Sequence, residues 1–301
     1  MRVLITGGLG FVGTQLSIRF LESGHNVTVV DHAAQPKPYT PAEVRYVSAD
    51  TTAPGPWQEE VSTQNLVINL AGASIFRRWN AASKKLIYDS RTLTTRNVVE
   101  AMVAGNGSTF LSTSAVGYYG FRGDEVLVET DGPGDDFLAR LCVDWEKEAR
   151  QAEKKGARVV VTRFGIVLGK SGGALQQMMA AFEKFVGGPL GNGRQWFSWI
   201  HMDDLLDAIV FLANDLEISG PVNCCSPNPV RNRDLARALG KAMRRPSYIS
   251  TPGFMLRLTL GQFASALLEG QRVIPAVLQE VGFQFQYPEL PEALVSILAG
   301  N

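Results

Sequence analysis

Val3-Leu4-Ile5-Thr6-Gly7-Gly8-Leu9-Gly10-Phe11-Val12-Gly13 is the stretch that decides the fold. A short apolar, β-leaning run breaks at a glycine cluster. A helical pattern follows (Leu16, Ile18, Phe20, Leu21) and ends at Ser23-Gly24. Asn26–Val30 then reads as a second strand closed by Asp31. Strand, glycine turn, helix, strand is a crossover unit, and its default is a parallel pair with a right-handed connection. Gly7, Gly10 and Gly13 give the turn the pattern Gly-x-x-Gly-x-x-Gly. A side chain at such a turn blocks close approach of the backbone to a pyrophosphate. The helix start beyond it, at Phe11 and Val12, offers unpaired N–H groups and a positive dipole end. The spacing therefore predicts dinucleotide binding; the bland alternative is a glycine-rich turn with no ligand.

Working outward, Asp31 lies 24 residues after Gly7. A carboxylate there can accept from both ribose hydroxyls of NAD and repels a 2′-phosphate. His32 and Lys37 are the nearby cations in sequence, so NAD is the expected cofactor and NADP the second choice. Residues 33–57 hold five prolines and read as loop around one strand, Val44–Val47. Asp50, just after that strand, is a candidate to reach the adenine or a plain loop aspartate. Leu66–Leu70 is a fourth strand ending at Ala71-Gly72, where small residues leave room beside a cofactor or simply make a tight turn. A helical pattern runs from about Asn80 to Val103, a strand covers Thr109–Thr113, and a helix covers about 137–155. Arg158–Phe164 is a sixth strand. Strands alternating with helices at this pace predict an α/β fold, a Rossmann-type doubly wound parallel sheet. After about residue 170 the pattern loosens into Gly- and Trp-rich chain and then helical segments at 203–212, 232–243 and 254–268. The expected division is a dinucleotide-binding domain over 1–169, to which the chain returns around 195–215, and a smaller, mostly helical substrate-side portion over 170–301.

Composition narrows the function. With 301 residues, the chain makes one large domain or two of ~150. Twenty-nine basic and 29 acidic residues leave no net charge, which argues against nucleic acid or a membrane surface as partner. No run approaches the ~18 apolar residues of a spanning helix, and no secretory signal is visible at the start. Three cysteines, two of them adjacent, make no disulfide framework and fit a reducing, cytoplasmic setting. Three histidines and no Cys-x-x-Cys make a metal site improbable.

At Thr6–Gly13 the sequence resembles the start of extended short-chain dehydrogenases/reductases. Asn69-Leu70-Ala71-Gly72, Arg78-Trp79, Ser90-Arg91, Ser112–Gly120, Trp145-Glu146, Arg163–Gly169, Trp199–Asp204, Leu268–Pro275 and Gly282-Phe283 narrow the resemblance. Together they look like the atypical extended subgroup labelled "epimerase family protein", also called cell-division-inhibitor-like. Its members carry a C-terminal segment of unknown function, here about residues 249–297. The resemblance covers essentially the whole chain. It implies an NAD(P)-binding oxidoreductase or epimerase acting on a small molecule of unknown class, and a homodimer through helices at about 80–103 and 137–155.

The catalytic pattern of that superfamily is broken in this chain. Its Tyr-x-x-x-Lys pair places both groups on one helix face, where the cation lowers the phenol pKa. No tyrosine here has a lysine four residues on. Aligned on Glu146, the usual Tyr and Lys fall on Leu138 and Cys142, and the usual Asn of the preceding helix falls on Arg91, carried here as a cofactor-side residue. The asparagine that contacts diphosphate in nucleotide-sugar members is replaced by Ile166. The candidates left for chemistry are Ser114, Tyr118 and Tyr119, with Ser112 as competitor to Ser114 and packed aromatics as the bland reading of the tyrosines. Arg77 and Arg78 can bind an anionic substrate, or lie in a solvated loop. Trp196 can floor a substrate pocket or sit in the core, while His201 reads as a strand end and helix N-cap. The alternative to an oxidoreductase is a catalytically silent dinucleotide-binding sensor or partner-binding protein.

Overall fold

The computed structural model describes residues 1–299. Seven parallel strands form its central sheet: β1 (Arg2–Thr6), β2 (Asn26–Asp31), β3 (Arg45–Ser48), β4 (Leu66–Asn69), β5 (Thr109–Ala115), β6 (Arg158–Phe164) and β7 (Gly220–Cys224). Their order across the sheet is β7-β6-β5-β4-β1-β2-β3. The order reverses between β1 and β4, and that switch point opens a crevice at the carboxyl ends of the strands.

Period-two alternation divides each strand between two cores. Val3 and Ile5 pack with Leu16 and Phe20 of the helix Phe11–Glu22 and with Leu205, Ile209 and Leu212 of the helix Met202–Asn214. Leu4, between them, faces the other side, where Val98 and Val99 of the helix Ala81–Ala101 and Ala149 of the helix Phe137–Arg150 cover Val67, Phe110 and Val159. A doubly wound sheet follows, as expected from the alternation of elements.

The expected strands and helices recur with small shifts at their ends, and Arg158–Phe164 matches to the residue. Two features differ. The chain's return to the sheet reaches Cys224, past the 195–215 window, because Gly220–Cys224 pairs with β6 as a seventh strand. The long helix expected over 254–268 is two helices, Gly253–Leu260 and Phe263–Leu268. Gly261 between them sits at φ +60°, ψ −135°, a conformation that glycine adopts readily and that breaks the helix. A third core under the C-terminal portion joins Leu175, Phe182, Leu235, Leu239, Leu294 and Ile297. No helix of the described residues is long and apolar enough to cross a membrane.

Candidate functional site

The glycine turn is shaped by close approach. Gly7 has φ +67°, and a Cβ there would lie 2.9 Å from the Ala71 backbone. A Cβ on Gly13 would lie 2.5 Å from the Gly7 carbonyl oxygen. Gly7 donates to Val30 O at 2.8 Å, and Gly10 donates to Gly7 O at 2.9 Å. The following helix has Gly10 as its N-cap, with no side-chain cap and no acid in its first turn. Its leading N–H groups are thus left to a bound anion, as a pyrophosphate cradle requires. Phe11 supports the turn from outside: side chains at Gly169, Gly172 and Gly173 would strike its ring within 3 Å. Val12 is half-buried against the core beneath.

Asp31 is buried at the end of β2, beside the turn. Its Oδ2 accepts from the Leu9 N–H at 3.1 Å, and its Oδ1 meets His32 Nδ1 at 3.0 Å. The Lys37 ammonium donates to the Leu9 carbonyl. Asp31 thus braces the turn through Leu9, whose N–H it accepts and whose carbonyl takes Lys37. Asp50 is exposed. Its Oδ1 accepts from both the N–H (3.0 Å) and hydroxyl (2.7 Å) of Thr52, bonds that hold its carboxyl below the usual range. It is held as a turn aspartate.

Leu70 donates to Thr6 O at 3.1 Å, tying the end of β4 to β1. Beyond it, a side chain at Gly72 would meet the Arg91 guanidinium at 3.0 Å. Arg91 donates to Ala73 O and Ile87 O, both at 3.0 Å, and lies 5.4 Å from the Trp145 ring. Its partners are carbonyls, not carboxylates, and burial pulls its pKa down to about 10. Gly7, Ala71, Gly72 and Arg91 are therefore brought together on the two sides of the switch point.

The expected catalytic residues meet a different fate. Ser114 is buried and donates to Glu146 Oε1 at 2.8 Å. Glu146 receives Arg163 twice, Nε on Oε1 and Nη2 on Oε2, each at 2.9 Å. Arg163 also donates to the Tyr119 hydroxyl at 2.9 Å, and that hydroxyl donates to Asn223 Oδ1 at 2.7 Å. Tyr119 is 0% exposed, and burial pushes its phenol well above the usual range. The expectation of Tyr119 as a proton donor is corrected on that ground: its hydroxyl is consumed by Arg163 and Asn223. Tyr118 is half-buried with the Arg163 guanidinium 3.5 Å above its ring, and its hydroxyl makes no hydrogen bond among the described residues. Cys142, where the superfamily's lysine falls, is buried; burial raises its thiol to about 11 and its Sγ lies 3.8 Å from Ala115 O. Cys224 and Cys225, at the end of β7, are buried as well, and their thiols are pushed up further.

Sequence reasoning missed Glu129. Its Oε1 accepts from Asn223 N–H at 2.9 Å and Val277 N–H at 3.2 Å, its Oε2 is buried without a partner, and burial raises its pKa. The signal that could have exposed the whole network was Arg163. An arginine inside an apolar strand demands a buried acid.

Of the expected substrate residues, Arg77 borders an apolar cavity and Arg78 does not. Trp196 lies elsewhere. Its ring lies between the Arg231 (3.9 Å) and Arg272 (4.6 Å) guanidinium groups, and its Nε1 donates to Asp124 Oδ1 at 2.9 Å, away from that cavity. His201 caps its helix as expected, Nδ1 accepting from Asp203 N–H at 3.1 Å.

A glycine cradle at the switch point of this sheet order defines a dinucleotide-binding protein of the extended short-chain dehydrogenase type. The chain belongs to the NAD dependent epimerase/dehydratase family, which its residues 3–225 match; residues 251–297 match a domain of unknown function, DUF1731. It is 38% identical to the chloroplastic epimerase family protein SDR39U1 homolog of Arabidopsis thaliana, over 99% of this chain and 87% of that one. It is 39% identical to an epimerase family protein of Mycobacterium tuberculosis, over 97% and 96%. The crystal structure of human epimerase family protein SDR39U1 with NADPH superposes with a TM-score of 0.87 at 32% identity, covering all of both chains.

Proposed function

We propose that this protein is an NAD(P)-dependent oxidoreductase that works without the Tyr-Lys pair and uses Tyr118 as its proton donor. The observation that carries the reading is the cradle of Gly7, Gly10 and Gly13 against Ala71, which side chains would fill. The bound dinucleotide supplies the hydride. The N–H groups of the first helical turn hold the pyrophosphate, and Asp31 orders the adenosine ribose. Lys37, held on the Leu9 carbonyl beside the turn, is the positive charge that would admit a 2′-phosphate as well as a free hydroxyl; the human relative crystallised with NADPH supports this. Arg91 supplies positive charge beside Gly72. Of Ser114, Tyr118 and Tyr119, Tyr118 alone keeps its hydroxyl unengaged, on a ring stacked against Arg163; the Ser112 hydroxyl is also unpartnered but buried.

The test is NADH and NADPH titration, followed by NADPH consumption over a panel of aldehydes and ketones. We expect Lys37→Ala to weaken NADPH about tenfold, one charge-assisted contact, and NADH little. We expect Tyr118→Phe to keep both affinities and lose turnover. Undiminished turnover in Tyr118→Phe removes that residue from the mechanism. Dinucleotide binding with no turnover of any carbonyl supports the second reading, a silent dinucleotide-binding protein. That reading is favoured by Ser114 and Tyr119 being locked into the buried network.

A further inference from the structure

A cavity of about 330 Å³ lies between the helices Gly173–Glu183 and Asn232–Met243 and the C-terminal segment. Small-molecule sites span roughly 300–1,000 Å³. Met178, Phe182, Leu235, Leu239, Phe263 and Leu267 make its wall apolar. Arg77 is the one charged residue among those lining it. Its Nε donates to the Ser74 carbonyl at 3.0 Å, and it makes no ion pair among the described residues. Asn232, the buried polar residue of the wall, already accepts the Leu190 N–H at 2.8 Å.

One flanking element is unusual: the helix that ends at the lining residue Leu260. The helix Gly253–Leu260 reads Gly-Phe-Met-Leu-Arg-Leu-Thr-Leu, yet none of its residues is buried. Phe254 is 70% exposed and Leu258 75%. The segment is anchored on both sides of this helix by backbone bridges, Leu190 with Thr251 and Trp79 with Gly261. Phe254, Met255 and Leu258, one turn apart on an exposed helix, are large apolar side chains left without a core. The cavity also adjoins the dinucleotide crevice. Arg77 lies on the loop that leaves β4 after Gly72, and Ala174, another lining residue, follows Gly173, which packs on the Phe11 ring.

We infer that this cavity binds an apolar small molecule bearing a single carboxylate, paired with Arg77, and that the helix Gly253–Leu260 closes over its apolar body. One unpaired cation on an apolar wall suits one negative charge. Arg77 is exposed, so that charge sits at the cavity's edge while the apolar body fills the wall beyond it. The inference concerns binding and stands whether or not the protein transfers hydride.

The test is calorimetric titration of the full chain with dodecanoate and with dodecanol below their aggregation limits, on wild type, Arg77→Gln and Ala181→Trp. Ala181 is a half-buried lining residue, so tryptophan there fills the cavity with little disturbance of the core. Circular dichroism melts check that both variants fold. We expect saturable 1:1 binding of dodecanoate, about tenfold weaker in Arg77→Gln, with dodecanol unaffected by that change. Ala181→Trp should lose both ligands. No saturable binding of dodecanoate overturns the inference, as does binding that Ala181→Trp leaves intact. Sedimentation of the protein with phosphatidylglycerol vesicles, together with no dodecanoate binding, overturns it in favour of a lipid surface as the helix's partner.

Discussion

The wall behind β5 and the chamber beneath the C-terminal segment are built from opposite materials. In the wall, Ser114, Glu146, Arg163, Tyr119 and Asn223 form one buried chain of hydrogen bonds from the helix Phe137–Arg150 across β5 and β6 to β7. In the chamber, aliphatic and aromatic side chains surround open space beside a helix with no buried residue. The wall holds the residue types that look reactive, and all of them are spent on one another. The chamber holds almost none, and it has room. Reactivity needs an open face as well as the right side chain, and in this molecule the two have been separated. The hydrogen-bonded wall ties three strands and a helix together, and Tyr118 stacks on its Arg163.

Three substitutions sharpen or break that contrast. The largest effect is expected from Arg163→Met, which leaves Glu146 buried without its bidentate partner. Removing one member of a buried pair costs roughly 3–5 kcal/mol, to be read by urea denaturation. A loss of less than about 1 kcal/mol would mean that the wall is not a brace.

A smaller, pH-dependent effect is expected at Glu129. Burial raises its carboxyl above 4.5, so the folded state holds the proton to higher pH than the unfolded state. Its favourable contribution is complete below the unfolded value and is lost as pH rises through the folded one. Glutamine keeps the acceptor for Asn223 and Val277 and carries no charge. Glu129→Gln should therefore melt above wild type in mildly alkaline buffer, with the gap closing as pH falls toward 4.5. A gap that does not change with pH would rule out this account. The smallest effect is expected at the helix beside the chamber, where Leu258→Ser should alter stability by no more than about 0.5 kcal/mol in either direction. A larger loss in a melt would show that the helix is already part of a core.

The legible parts of the sequence were those fixed by local backbone demands. Gly7 and Gly13 sit where no Cβ fits, so the cradle could be read from spacing alone. Arg158–Phe164 is flanked by a helix end and a glycine, and both its limits were plain. β7 was hidden because Gly220–Cys224 begins with Gly-Pro and shows no alternation, being held in place by β6. The surroundings of Tyr119 and Trp196 were not legible because their partners Asn223 and Asp124 lie 104 and 72 residues away. Arg77 was singled out for its charge, but the apolar space beside it is made by three distant stretches, over 174–190, 232–239 and 251–267, and no local pattern announces a cavity.

Cys142, Cys224 and Cys225, the chain's three cysteines, are all buried, and all three thiols are held above their ordinary range. The folded surface therefore presents no thiolate to an alkylating reagent or an oxidant. Labelling of these sulfurs counts openings of the molecule: Cys142 reports the brace at β5 coming apart, and the adjacent pair reports the edge strand peeling away. The protein carries its own clock for the motions of that end of the sheet, and its exterior is a blank on which one added cysteine would be the sole reactive mark.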